Sequence, residues 1–309
     1  MTRADGEIAG PPTSVEATLA AGEAPDRFRD PLAELRRLGL EHHAAELDSY
    51  GFTIVEPERA APSGFADALL RKVLEIAEQR SGQALDPADA ESHAGGSAWG
   101  QHLFYLLLED PIFEQAMMNE TVLALITYLV GGSCVLSSMN SILKGPGTDH
   151  LILHSDSAMV PAPYPAFAQV ANATWLLTDY DRDRGALSFW PGSHKFCRPP
   201  TTRETTDFDR LVPVTAPAGS LVVWHGNTWH GAFPRQVPGL RVNLILYFCR
   251  IYMQTQEWYR ERVSAEALAR NTGRFRHLVG LENPYPFGAE GAPIEQIGRF
   301  TSLARTQGG

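Results

Sequence analysis

The chain has 309 residues, 44% hydrophobic and 20% charged, the balance of an ordinary soluble globular protein with one large domain or two modest ones. Lys and Arg total 26 against 36 Asp and Glu, a net charge of −10, and a field of that sign disfavours nucleic acid and anionic membrane surfaces. Cys134, Cys197 and Cys249 form no C-x-x-C pair; their odd number argues against a disulfide framework and fits a reducing cytoplasm.

Residues 1–25, rich in Ala, Gly, Pro, Glu and Thr, lack the continuous apolar run of a signal peptide and read as a mobile tail. "DPLAELRRLGLEHHAAEL" predicts a helix, with Asp30 as its cap and Pro31 at its first position. "SYGFTIVEP" predicts a short strand closed by Pro57. "SGFADALLRKVLEIAEQRSG" predicts a second helix, capped by Ser63, with an apolar stripe at Phe65, Leu69, Leu70, Val73 and Ile76, and ended by Gly82. "WGQHLFYLLLED" reads as a third helical region and "PIFEQAMMNETVLALITYLV" as a fourth, stopping at Gly131-Gly132. Its apolar run is far too short to span a bilayer.

After Gly132 the texture changes. "CVLSSMNSIL", "LILHSDSAMV", "AQVANATWLLTDY", "ALSFWPG", "LVPVTA", "SLVVWHG" and "RVNLILYFCRIYM" are short, β-rich and separated by Gly, Pro and Asp turns. "TQEWYRERVSAEALARN" returns to helix. Strands after a helical first half predict an α+β chain with a mainly β core, a sandwich or barrel packed by helices. No polar linker divides the halves, so residues 26–309 read as one domain with its β core at about 133–252.

"LHSDSAMV" sets His154 and Asp156 two apart. On an extended strand, residues i and i+2 share a face, so the step aims an imidazole and a carboxylate at one point. Alone, it reads equally well as a polar loop. "GSLVVWHGNTWHG" adds His225 and His230 after another strand, and Arg241 heads the strand that follows. Two His and one carboxylate form the facial triad of non-haem iron(II) oxygenases, which leaves open metal positions. An Arg fork suits the far carboxylate of a chelating 2-oxo acid.

The order H-x-D, then "GALSFWPGSH", then N-T-x-H-G, then an Arg eleven residues on (241 − 230 = 11) resembles the phytanoyl-CoA dioxygenase family, from about Cys134 to about Arg250. The resemblance implies a double-stranded β-helix, a jelly-roll or cupin-like barrel flanked by N-terminal and C-terminal helices. It implies Fe(II), 2-oxoglutarate as cosubstrate, and O2. His154, Asp156 and His230 match the family's metal ligands. His230 is preferred over His225 because N-T-x-H-G falls on Asn227–Gly231. Arg241 matches the arginine for the distal 2-oxoglutarate carboxylate, Trp175 a tryptophan beside the cosubstrate, and Asn140 a polar cosubstrate contact.

The activity so implied is hydroxylation of an unactivated C–H with release of succinate and CO2. Asp156 stands where related halogenases carry a small residue. Desaturation, epoxidation and rearrangement share the same ligands and stay open, as does the oligomeric state. The Pro-rich apolar segment "AMVPAPYPAFAQ" and the aromatics of "WGQHLFYLLLED" suggest an apolar or specialised-metabolite substrate, and no basic cluster is committed to a CoA diphosphate. Competing readings are another cupin-type metalloenzyme, a hydrolase or isomerase without need of Arg241, and a non-catalytic binding barrel.

Overall fold

The computed structural model describes residues 30–89 and 100–297; the expected N-terminal tail lies outside the described residues. Asp30 caps helix α1 (Pro31–Leu38), its carboxylate accepting from the Leu32 N–H at 2.9 Å. The single helix expected here is two. Gly39 turns into the left-handed region at φ 66° and closes α1, a conformation costing other residues about 1–2 kcal/mol. Helix α2 (Glu41–Tyr50) then starts afresh. Strand β1 (Phe52–Val55) and a single helical turn, α3 (Pro57–Ala60), follow. Helix α4 (Phe65–Ser81) ends at Gly82 as expected, but Ser63 is not its cap. Gly64 holds that position and no side chain caps the helix there.

Two further helical expectations are corrected. Within "WGQHLFYLLLED", Gln101–Leu103 is strand β2, and Leu106–Leu108 is one 3₁₀ turn. An available sheet edge overrides local propensity here: β2 pairs with strand β3 (Val135–Lys144) through Gln101↔Leu143 and Leu103↔Ser141. "PIFEQAMMNETVLALITYLV" forms α5 (Pro111–Met117) and α6 (Glu120–Val130), because a cap precedes each. Asp110 accepts from the Ile112 N–H and Asn119 from the Val122 N–H, satisfying donors that a helix start leaves free. In the C-terminal stretch only α7 (Ala265–Arg270) is helical, capped by Ser264, and α8 (Gly273–Leu278) follows. Among the described residues no helix is long and apolar enough to cross a membrane.

The remaining strands are β4 (Leu151–His154), β5 (Val170–Leu176), β6 (Leu187–Phe189), β7 (Val212–Pro213), β8 (Leu221–His225), β9 (His230–Ala232) and β10 (Arg241–Cys249). They form two antiparallel sheets, one ordered β1-β8-β5-β10-β3-β2 and the other β4-β9-β6-β7. The sequence did not announce β9, whose three residues carry no periodicity.

The large sheet is covered on both faces, and its alternation says by what. Leu221 and Val223 of β8 join Ala173, Trp175 and Leu244 in a core shared with Leu69 and Val73 of α4 and Leu125 of α6. Val222 and Trp224, one step out of phase, pack instead with Leu187 and Phe189 of the small sheet. One face of the large sheet therefore meets helices and the other meets the small sheet, with period 2 deciding which residue goes where.

Candidate metal centre

His154 closes β4 and His230 opens β9, and the two are direct register partners with ring centroids 4.3 Å apart. Opposed residues of an antiparallel pair project from the same face. Each ring is then fixed by a carbonyl two residues back, His154 Nδ1 lying 2.9 Å from Ile152 O and His230 Nδ1 3.0 Å from Thr228 O. A carbonyl oxygen only accepts, so each Nδ1 carries the proton and each Nε2 keeps a free lone pair. Burial pushes the His230 imidazole down to about 4, against the upward pull of Asp156, so the ring is neutral at neutral pH.

Asp156 sits in the turn after β4. Its Oδ1 is 4.0 Å from His154 Nε2 and its Oδ2 is 3.6 Å from His230 Nε2. The three ligand atoms lie within 4.8 Å of one another. An ion with ligands at about 2.1 Å wants neighbouring donors roughly 3 Å apart, so small side-chain rotations close the set around one. The donor chemistry fits a ferrous ion: two imidazoles and one carboxylate, each His already held through its far nitrogen in the way metal ligands are.

Three residues that sequence reasoning missed secure Asp156. Tyr247, Asn172 and Trp224 form one row across β10, β5 and β8, with Asn172 the register partner of both others. Asn172 Nδ2 and Trp224 Nε1 donate to Asp156 Oδ2 at 2.7 and 3.0 Å, and the Tyr247 hydroxyl donates to the Asp156 carbonyl at 3.2 Å. The Asp156 N–H donates to Gly226 O at 2.9 Å. An Asn in the middle of the apolar strand "VANATWL" was the available signal, since a buried polar group requires a partner.

Arg241 is buried at the start of β10. Its Nη1 donates to Gly185 O at 2.8 Å, while its Nε has no partner. Gly185 lies four residues before Phe189 (189 − 185 = 4), the register partner of His230, so the guanidinium reaches across to the sheet that carries the histidines. Lys144, the register partner of Arg241, donates to Asp149 O at 3.0 Å. Burial, with Arg241 adding to it, lowers the Lys144 pKa. A buried guanidinium with an unmade hydrogen bond can take an anion.

Asn140 lies on β3, on the face that Ser138 shares with its partner Tyr247, and its Oδ1 is 3.0 Å from His102 Nε2. Trp175 does not join these residues. It stands three positions from Asn172 on the same strand, so it faces the other way, fully buried and edge-on to Phe65 of α4. The expected tryptophan beside a cosubstrate is a core residue of the sheet–helix layer. His225 is also apart: its Nδ1 accepts from the Asn227 N–H at 3.0 Å, and its ring lies beside His194.

Two histidines and a carboxylate are the donor set of non-haem iron(II) oxygenases. The profile of the phytanoyl-CoA dioxygenase (PhyH) family matches residues 47–242, and the chain belongs to that family. A relative from Aspergillus fumigatus, "Dioxygenase af480", is 30% identical over 224 residues, covering 70% of this chain; the chain spans 66% of that relative's length. Among solved structures, the epimerase SnoN in complex with Fe3+, alpha-ketoglutarate and nogalamycin RO is similar at a TM-score of 0.54 and 20% identity, over 72% of this chain and 85% of that one. HygX from Streptomyces hygroscopicus, with nickel and 2-oxoglutarate bound, is similar at 0.55 and 16% identity, over 72% of this chain and 93% of that one. At these identities the structural likeness is one of fold.

Proposed function

We propose that the chain is an iron(II)- and 2-oxoglutarate-dependent dioxygenase, a single domain built on a double-stranded β-helix, that hydroxylates an unactivated C–H of a small apolar molecule. One observation carries the reading: two Nε2 lone pairs and a carboxylate oxygen converge within 4.8 Å, in the chain whose buried Arg241 keeps an unpartnered Nε. A hydrolase or isomerase centre that works without a 2-oxo acid has no need of the second feature. Family membership and fold likeness to proteins holding iron, nickel and 2-oxoglutarate support the same reading.

In this reading His154, Asp156 and His230 would hold the metal, and Arg241 would take the distal carboxylate of the cosubstrate. When bound, iron(II) with 2-oxoglutarate and O2 supplies the oxidising power for C–H cleavage, releasing succinate and CO2. The protein's share is position and dryness. The Ile152 and Thr228 carbonyls each accept from Nδ1 and so turn both Nε2 atoms toward the metal position. Trp224 and Phe189 pack against His230 and exclude water from that side. Ile152, Met159 and Phe167, near the H-x-D in sequence, are large apolar side chains 60%, 93% and 53% exposed, which supports an apolar substrate.

The test is anaerobic addition of iron(II) and 2-oxoglutarate to the metal-free chain, followed by O2. A weak visible charge-transfer band, then succinate, is expected. A wild-type chain that gives neither overturns the proposal.

A further inference from the structure

We infer that Asn172 and Trp224 are positioning residues that make Asp156 a one-oxygen metal ligand, and so keep a coordination position open. The inference rests on the metal-centre reading above and adds to it a device that selects how the carboxylate binds.

An ionised carboxylate has about two lone-pair sites on each oxygen. Oδ2 of Asp156 receives two donors, Asn172 Nδ2 at 2.7 Å and Trp224 Nε1 at 3.0 Å, which fills that oxygen. Oδ2 is the nearer of the two to a ligand nitrogen, 3.6 Å from His230 Nε2, but its lone pairs are taken; Oδ1, 4.0 Å from His154 Nε2, keeps its own for a metal. If both oxygens bound the ion, the carboxylate would occupy one of the three positions that a 2-oxo acid and O2 require. The two donors make that arrangement unfavourable, because it strips two charge-assisted hydrogen bonds from Oδ2.

Both donors are rigidly held. Asn172 and Trp224 are register partners on adjacent central strands, and both belong to fully buried stretches. Trp224 is wedged edge-on against Phe189 at 5.6 Å and lies 5.2 Å from the His230 ring. Neither side chain can follow a moving carboxylate, so the carboxylate is placed by them. The histidines come from the small sheet and the carboxylate is held by the large one. The metal geometry is therefore set across the gap between sheets, and not within the H-x-D step.

Co(II) binding to the metal-free chain tests this without turnover. Trp224→Phe keeps the ring and removes the N–H; Asn172→Leu keeps the shape and removes the donor; Asn172→Gln returns a donor on a longer arm. Loss of outer-shell partners typically weakens metal binding ~10–100-fold. Each donor-less variant is expected to lose affinity in that range and to change its Co(II) ligand-field intensity. In difference infrared spectra the carboxylate stretches should draw together, the signature of two-oxygen binding. Asn172→Gln should recover part of the affinity. The metal-free melting temperature should move little in Trp224→Phe, which separates positioning from a folding defect. Wild-type affinity and spectra in both donor-less variants overturn the inference while leaving the metal centre standing. A wild-type chain that takes no Co(II), or takes it unchanged in Asp156→Ala, overturns the metal-centre reading and this inference with it.

Discussion

His154 and His230 meet as register partners across β4 and β9, with ring centroids 4.3 Å apart and each Nδ1 tied to its own backbone. The pairing turns two distant positions of the chain into one bidentate imidazole platform. Its rotamers are set before any ion arrives. The hydrogen bonds that fix the rings also choose the tautomer, so the lone pairs are presented at Nε2 and only small side-chain rotations remain.

Removing the anionic member should abolish metal binding. Asp156→Ala is expected to lower iron(II) affinity by well over ~100-fold, beyond the range typical of outer-shell changes, and to take succinate formation to background. The Ala side chain leaves the Asn172 and Trp224 donors partnerless, so stability should fall by roughly 1–3 kcal/mol without loss of fold. Metal titration and a denaturant melt read the two effects separately; unchanged succinate formation would contradict the assignment.

Arg241 should act on the cosubstrate and not on the metal. Its Nε is unpartnered and its Nη1 is held by Gly185 O, the state of a fork awaiting an anion. Hydrogen bonds to charged groups contribute about 1.5–3 kcal/mol, so Arg241→Ala should raise the 2-oxoglutarate KM by roughly 10- to 100-fold and leave Co(II) affinity of the metal-free chain near wild type. A parallel loss of Co(II) binding would assign Arg241 a structural role.

Trp175 offers the reverse pattern. It is fully buried against Phe65, and Trp→Ala changes at such sites cost about 3–5 kcal/mol. Trp175→Ala should melt markedly earlier, while the folded fraction binds 2-oxoglutarate as the wild type does. A raised KM with unchanged stability would return the residue to the cosubstrate site.

Acid should destabilise the metal-free chain through its buried histidines. Burial, with His194 adding to it, holds His225 down to about 4, and burial does the same for His230. In the unfolded chain both titrate near 6.5. Between about 6.5 and about 4 the unfolded state takes up protons that the folded state refuses. The stability contribution is therefore whole above about 6.5, falls through that window and levels off below it, at about 1.4 kcal/mol per pH unit for each group. Urea midpoints from pH 7.5 to 4.5 should show the slope, and His225→Gln should flatten it. An identical slope in that variant would remove His225 from the account.

Gly51 links the N-terminal layer to the metal centre. It sits at φ 84°, and a Cβ there would collide with Thr228 Oγ1 and the His194 ring. Its carbonyl accepts from the Thr228 hydroxyl at 2.8 Å and from the His225 N–H at 2.9 Å. Gly51→Ala should cost about 1–2 kcal/mol for the left-handed backbone alone, and more for the clash. Because Thr228 O holds His230, the Co(II) affinity of the folded fraction should fall as well. Loss of stability with unaltered Co(II) affinity would show that the turn absorbs the displacement.

The sequence by itself determined what is local. Asp30, Gly82 and the apolar stripe of α4 were legible because caps and 3.6-residue periodicity are written within a few positions. The β-rich texture after Gly132, the H-x-D step and the family likeness were legible for the same reason. The split at Asn119, a cap lying in an apolar run, is also written there. Only the tertiary structure decided the rest. Gln101–Leu103 became a strand because β3 had an edge to fill. Trp175 turned toward the helices because pairing with β10 and β8 fixed its parity, putting Asn172 on the inner face instead. Which of His225 and His230 meets Asp156 was settled in space by the register of β9 against β4. Strand partners, register and facing sheets arise from contacts between residues far apart in the chain, and no window of sequence contains both members of such a pair.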